Sequence, residues 1–80
     1  MLLTEIKDRI LKDVKIFEEN IKLCETLKLT DDEQEIIELA SMYYKDTSTF
    51  LSKEDYYTAF ASINYAHGLL DAILKLHGKK

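Results

Sequence analysis

With 80 residues the chain has room for one domain, residues 1–80, and for a modest core rather than a deep enclosed cavity. Hydrophobic residues at 46% and charged residues at 32% describe a globular protein, not a disordered one. Fifteen acidic against eleven basic residues give a net charge of −4, and the lysines are spread among carboxylates, as in Glu5-Ile6-Lys7-Asp8, so a mixed-charge surface is expected rather than the basic face of a nucleic-acid binder. The absence of proline and the presence of only Gly68 and Gly78 leave little of the turn chemistry that β-hairpins use, so the fold class is all-α.

The start, Met1-Leu2-Leu3-Thr4-Glu5, turns acidic too soon for a secretory signal. A first helix is expected over about 4–28, with Thr4 as its N-cap. Leu3, Ile6, Ile10, Val14, Phe17, Ile21, Cys24 and Leu27 recur at steps of three or four and form one apolar stripe. Cys24, the only cysteine, can form no internal disulfide and reads as a small buried hydrophobe.

Thr30-Asp31-Asp32-Glu33 has the form of a capping box and opens a second helix over about 31–51. Its inner face takes Ile36, Ile37, Leu39, Ala40, Tyr43, Tyr44, Thr47, Phe50 and Leu51; Glu38, Ser41, Lys45 and Ser48 fall opposite. Ser52, with Asp55 three residues on, is the expected cap of a third helix over about 53–77. That helix should end at Gly78 in a left-handed conformation. Tyr56, Ala59, Phe60, Ile63, Ala66, Leu70, Ile73 and Leu74 form its core face. Short connectors make sequential helices antiparallel neighbours, so the expected architecture is an antiparallel three-helix bundle.

The third helix carries a second apolar face. Ala61, Tyr65, Leu69, Ala72 and Leu76 recur on the side away from the core, with Gly68 beside them and Tyr57 on the same flank. Ile16 and Leu23 repeat the pattern weakly on the first helix. Three helices cannot cover both sides of one of their own members. The expectation is a homodimer, or a helical protein partner, using this face.

At this point the residues carry a likeness. Asp55-Tyr56-Tyr57-Thr58-Ala59-Phe60-Ala61-Ser62-Ile63-Asn64-Tyr65-Ala66-His67-Gly68-Leu69-Leu70-Asp71-Ala72 resembles the signature of the archaeal family called domain of unknown function 357, and Asp46 and Phe50-Leu51 match the part that precedes it. The resemblance is close over Tyr43 to Ala72 and looser over the first helix. It departs at Glu54, where the family usually has glycine, and this bears on the turn into the third helix. The resemblance implies a helical bundle and an archaeal source, and it brings no activity.

Candidate chemistry is sparse. Asn64, His67 and Asp71 line one edge of the third helix, and Asp46 could face them across the bundle. Together with Tyr56 they mark a possible groove between the second and third helices for a small ligand, metal or peptide. His67, Asp71 and Asp46 would be the metal ligands, although one histidine with scattered carboxylates is weak as a motif. A polar seam, with Asp71 accepting from His67, is the plainer reading. No glycine-rich phosphate loop, nucleophile elbow or neighbouring Arg–His pair is present, so neither an enzyme nor a cofactor is expected. No apolar run reaches membrane-spanning length. A cytoplasmic protein without membrane partners is expected, and scarce Asn, Gln and Met beside abundant Lys and Glu suit a thermophile.

Overall fold

The computed structural model describes residues 2–80; Met1, in the start considered above, lies outside them. Three helices follow in order: α1 over Leu3–Glu25, α2 over Asp31–Ser52 and α3 over Tyr56–Leu76. The bundle is elongated, 40 × 20 × 15 Å. α2 runs antiparallel to α1 and α3, which are parallel to each other. This follows from Glu33 meeting His77 at one end of the bundle and Arg9 meeting Phe60 at the other.

Helix ends explain most of the departures from the expected boundaries. Thr4 is not the first cap. Leu2 holds that position in extended backbone, and its carbonyl accepts from the amides of Glu5 and Ile6 at 3.1 and 3.2 Å. The helix thereby gains length and forgoes a side-chain cap worth about 1 kcal/mol. Leu3, expected on the core stripe, is 67% exposed.

α1 stops at Glu25, three residues before Lys28, and the Thr26 hydroxyl donates to the Leu23 carbonyl at 2.7 Å. Beyond it, Leu27 and Leu29 both pack half-buried on the core. Two positions apart on a helix, they would point about 200° from one another, so leaving the helix lets both face inward.

The capping box at Thr30 forms as expected. The Thr30 hydroxyl accepts from the Glu33 amide at 3.1 Å, and Glu33 Oε1 accepts from the Thr30 amide at 3.0 Å. The second oxygen of the same carboxylate accepts from His77 Nε2 at 2.8 Å, tying the start of α2 to the end of α3. These bonds, the Thr30 amide first and His77 next, hold the Glu33 carboxyl below its ordinary 4.5.

Ser52 does not cap α3. It is the last residue of α2, and its hydroxyl donates to the Thr49 carbonyl at 2.7 Å. Glu54 turns the chain instead, with a left-handed φ of 57°. The Glu54 amide reaches Leu51 O at 3.0 Å and the Asp55 amide reaches Phe50 O at 2.9 Å, the paired bonds of a Schellman motif. Asp55 then caps α3, accepting from the Thr58 amide at 3.2 Å. α3 closes with the same device, since Gly78 has φ 70°, Lys79 bonds back to Leu74 O and Gly78 to Lys75 O.

The core is Ile10, Phe17 and Cys24 from α1, Ile37 and Ala40 from α2, and Ala59, Ile63, Ala66, Leu70, Ile73 and Leu74 from α3. Thr47 is fully buried, its hydroxyl donating to the Tyr43 carbonyl at 2.9 Å. Ser62 is buried too, though the apolar pattern passed over it, whereas Tyr56 and Phe60 are only half-buried. Leu39, expected inside, sits at the solvent edge of α2, 39% exposed. α1 and α2 both pack along α3, and their own backbones scarcely approach one another. Side chains bridge that gap. Phe17 stacks on Tyr44 with centroids 4.8 Å apart, and the Tyr44 hydroxyl donates to Glu18.

Two outcomes follow from the helix ends. Glu54→Gly keeps the left-handed turn and relieves the cost of about 1–2 kcal/mol that a side-chain-bearing residue incurs there, partly offset by the freedom glycine gains when unfolded. Urea denaturation should show it more stable by about 0.5–1 kcal/mol. Because the Glu33 carboxyl is held below 4.5 in the folded chain, its contribution is complete above that pH and is lost as pH falls through the depressed value. Glu33→Gln should therefore be less stable than the parent at pH 7, and the two melting temperatures should converge as the pH falls through the depressed value.

Candidate interaction surface

The helical period of α3 divides it into a buried side, wedged between α1 and α2, and a side facing solvent. Eight positions of α3 are exposed: Tyr57, Ala61, Asn64, Tyr65, Gly68, Ala72, Lys75 and Leu76. Only Asn64 and Lys75 among them are strongly hydrophilic, which is the reverse of an ordinary solvated helix face. Tyr57 is 87% exposed, Leu76 75% and Tyr65 53%. The apolar surplus expected from the sequence thus lies on the outside of the folded chain.

Its neighbours extend the surface. Tyr65 rests against Tyr43 of α2, centroids 4.5 Å apart and planes tilted by 42°, which fixes one ring of the face. On α1, Leu23 is exposed and Ile16 half-buried. Leu69 differs from the expectation, being half-buried and packed on the core rather than free on the outer face. Gly68 is open. A Cβ added there meets nothing within 4 Å, so no contact inside the chain requires a glycine in the middle of this helix.

The residues expected to form a groove between α2 and α3 are not brought together. His67 turns to the α1 side, where its Nε2–H donates to the Asp13 carbonyl at 3.0 Å and its ring meets Phe17 edge-on at 6.4 Å. Asp71 accepts from Lys80 at 2.6 Å instead of from His67. Asp46 and Asn64 are exposed, and Tyr56 packs half-buried against the core. The helical phase explains the separation. His67 leans toward the flank α1 occupies, while α2 lies along the opposite flank of α3. Among the described residues no three His, Cys, Asp or Glu side chains cluster as a metal site would require.

Cys24 is 1% exposed, and burial, followed by the charge of Glu25, pushes its thiol up from 9.0, away from nucleophilic use. Among the described residues no helix is long and apolar enough to cross a membrane.

Two features escaped the sequence reading. The His77–Glu33 bond joins residues 44 apart in the chain, and only the capping box hinted at one half of it. The second is an open cleft between α1 and α2. One stretch of 310 Å³ is lined by Leu11, Val14, Glu18, Tyr44 and Leu51, and another lies beside Ile21, Ile37 and Met42. Its one advance signal was the apolar character of Leu11 and Met42, which stand off their helices' main stripes.

Gly68→Ala tests whether the outer face is free of internal packing. At concentrations low enough to keep the chain monomeric, it should raise the unfolding free energy by about 1 kcal/mol, the helix-propensity gain alone. Calorimetry or urea titration reads this directly.

No curated protein sequence is significantly similar to this chain. The family model described as "Protein of unknown function (DUF357)" matches residues 12–78, from the middle of α1 through the end of α3. With most of its length matched and the motif of α3 inside the match, the chain belongs to that family.

Proposed function

We propose that the protein is a non-catalytic interaction module that pairs with a second copy of itself through the outer face of α3, flanked by α1. The observation that carries this reading is the exposure of Tyr57, Ala61, Tyr65, Gly68, Ala72 and Leu76 on one helix face, interrupted only by Asn64 and Lys75. Exposed apolar surface of that continuity is costly to leave in water and is characteristic of a contact surface. A glycine with no internal reason to be there adds to it, because glycine at mid-helix costs about 1 kcal/mol and permits close approach by another backbone. A two-fold dimer is the simplest closed arrangement, one patch serving both partners.

The lysine- and glutamate-rich composition supports a thermophilic setting for such a module, and the family resemblance an archaeal one.

Ala72 is the suitable probe, since it is exposed, whereas a charge at half-buried Leu69 would disturb the core as well. Light scattering should give twice the chain mass for the parent. Ala72→Glu, with unchanged far-ultraviolet circular dichroism, should raise the dimer dissociation constant about tenfold or more. A parent protein that stays monomeric at high micromolar concentration overturns the reading.

A further inference from the structure

The non-polar exposed positions of α3 are Tyr57, Ala61, Tyr65, Gly68, Ala72 and Leu76, and their spacing has a symmetry of its own. The steps are four, four, three, four and four, the same from either end of the helix. A two-fold axis perpendicular to a helix pairs it with a reversed copy of itself. Only that antiparallel arrangement carries such a stripe onto itself with the first position facing the last.

The side chains fit the arrangement as well as the spacing does. In this register Tyr57 faces the partner's Leu76, large against large at the two ends. Ala61 faces the partner's Ala72, small against small, where the backbones come nearest. Tyr65, the aromatic beside the axis, faces the partner's Gly68, the one position of the stripe without a side chain and with open space above it. Tyr65 is already braced by Tyr43, so its ring is held in place before association. A parallel pair would set Tyr65 against Tyr65 and Gly68 against Gly68, a crowded level beside an empty one.

Charge favours the same orientation. The segment before α3 carries Glu54 and Asp55, and its far end carries Lys75 and Lys79. Reversal places Glu54 at the level of the partner's Lys79, and opposite ends of the two helix dipoles side by side. Parallel alignment would bring like charges together at both ends.

We propose that the occupant of the outer face is a second copy of this chain docked with α3 antiparallel to α3, the Tyr65 ring of each copy lying over Gly68 of the other. The inference rests on the self-association proposed above and adds its direction and register. Disulfide trapping separates the two. Ala61→Cys and Ala72→Cys are made singly, both at exposed sites, with buried Cys24 retained and the parent protein oxidised in parallel as control. Mixed and oxidised with copper phenanthroline, the two variants should give a cross-linked dimer containing one of each, while neither variant alone cross-links. Gly68→Leu, whose Cβ meets nothing in the lone chain, should raise the dissociation constant about 100-fold by filling the space Tyr65 takes. Cross-linking of Ala61→Cys with itself, or none in the mixture while light scattering still shows a dimer, overturns the register and leaves self-association standing. A monomeric parent overturns both.

Discussion

Everything in this fold hangs on the burial of one side of α3. Ala59, Ile63, Ala66, Leu70, Ile73 and Leu74 are all without exposed surface, and they provide the floor on which α1 and α2 lie. Neither of those helices has another surface of comparable extent to pack on, because their backbones diverge and only side chains, chiefly Phe17 and Tyr44, span the distance. A fully buried aliphatic side chain contributes about 1.5–3 kcal/mol. The four large ones here, Ile63, Leu70, Ile73 and Leu74, therefore outweigh any single cap or ion pair. The same centrality explains why α3 is so apolar, and its apolar surplus falls on the side that neither α1 nor α2 covers.

The helix ends decide how those stripes meet. Glu33 uses one oxygen to finish the α2 capping box and the other to hold His77, so a single carboxylate sets both where α2 begins and where α3 stops against it. At the opposite end the Schellman turn at Glu54 reverses the chain within three residues, Lys53 to Asp55. A turn that tight leaves no slack for the two helices to slide. Between these two ends, Tyr43 of α2 meets Tyr65 of α3.

Much of this was legible in the residues, and for physical reasons. The period of Ile10, Phe17 and Cys24 and of Ile63, Ala66, Leu70 and Ile73 is a direct record of burial, so the three helices and most of the core could be read off. The capping box at Thr30 was readable because both of its partners are local. Boundaries that depended on competition between two local options were not. Ser52 and Asp55 are both good caps, and the choice fell to the left-handed turn at Glu54, a conformation the residue type itself disfavours. The proposed groove failed for a similar reason. Sequence places His67 and Asp71 on one edge of α3, but which neighbouring helix covers that edge is a tertiary fact, and their partners proved to be Asp13 on α1 and Lys80. The outer face was visible because surplus apolar residues leave a period of their own whether or not anything covers them.

The unequal attachment of α1 and α2 to α3 has a consequence for the order in which the molecule comes apart. α2 and α3 are joined by a short turn, packed along their length and clasped at the far end by His77, so their contacts are close in sequence and mutually reinforcing. α1 reaches α3 only across the intervening helix, through Ile10, Phe17 and Cys24 and the Asp13–His67 bond, and lies less extensively upon it. Contacts that span so much chain form late and release early. The α2–α3 hairpin should thus be the slower-exchanging unit of the protein, and α1 the helix whose amides open first to solvent. The outer face of α3 belongs to that hairpin, so it should stay intact through any opening confined to α1.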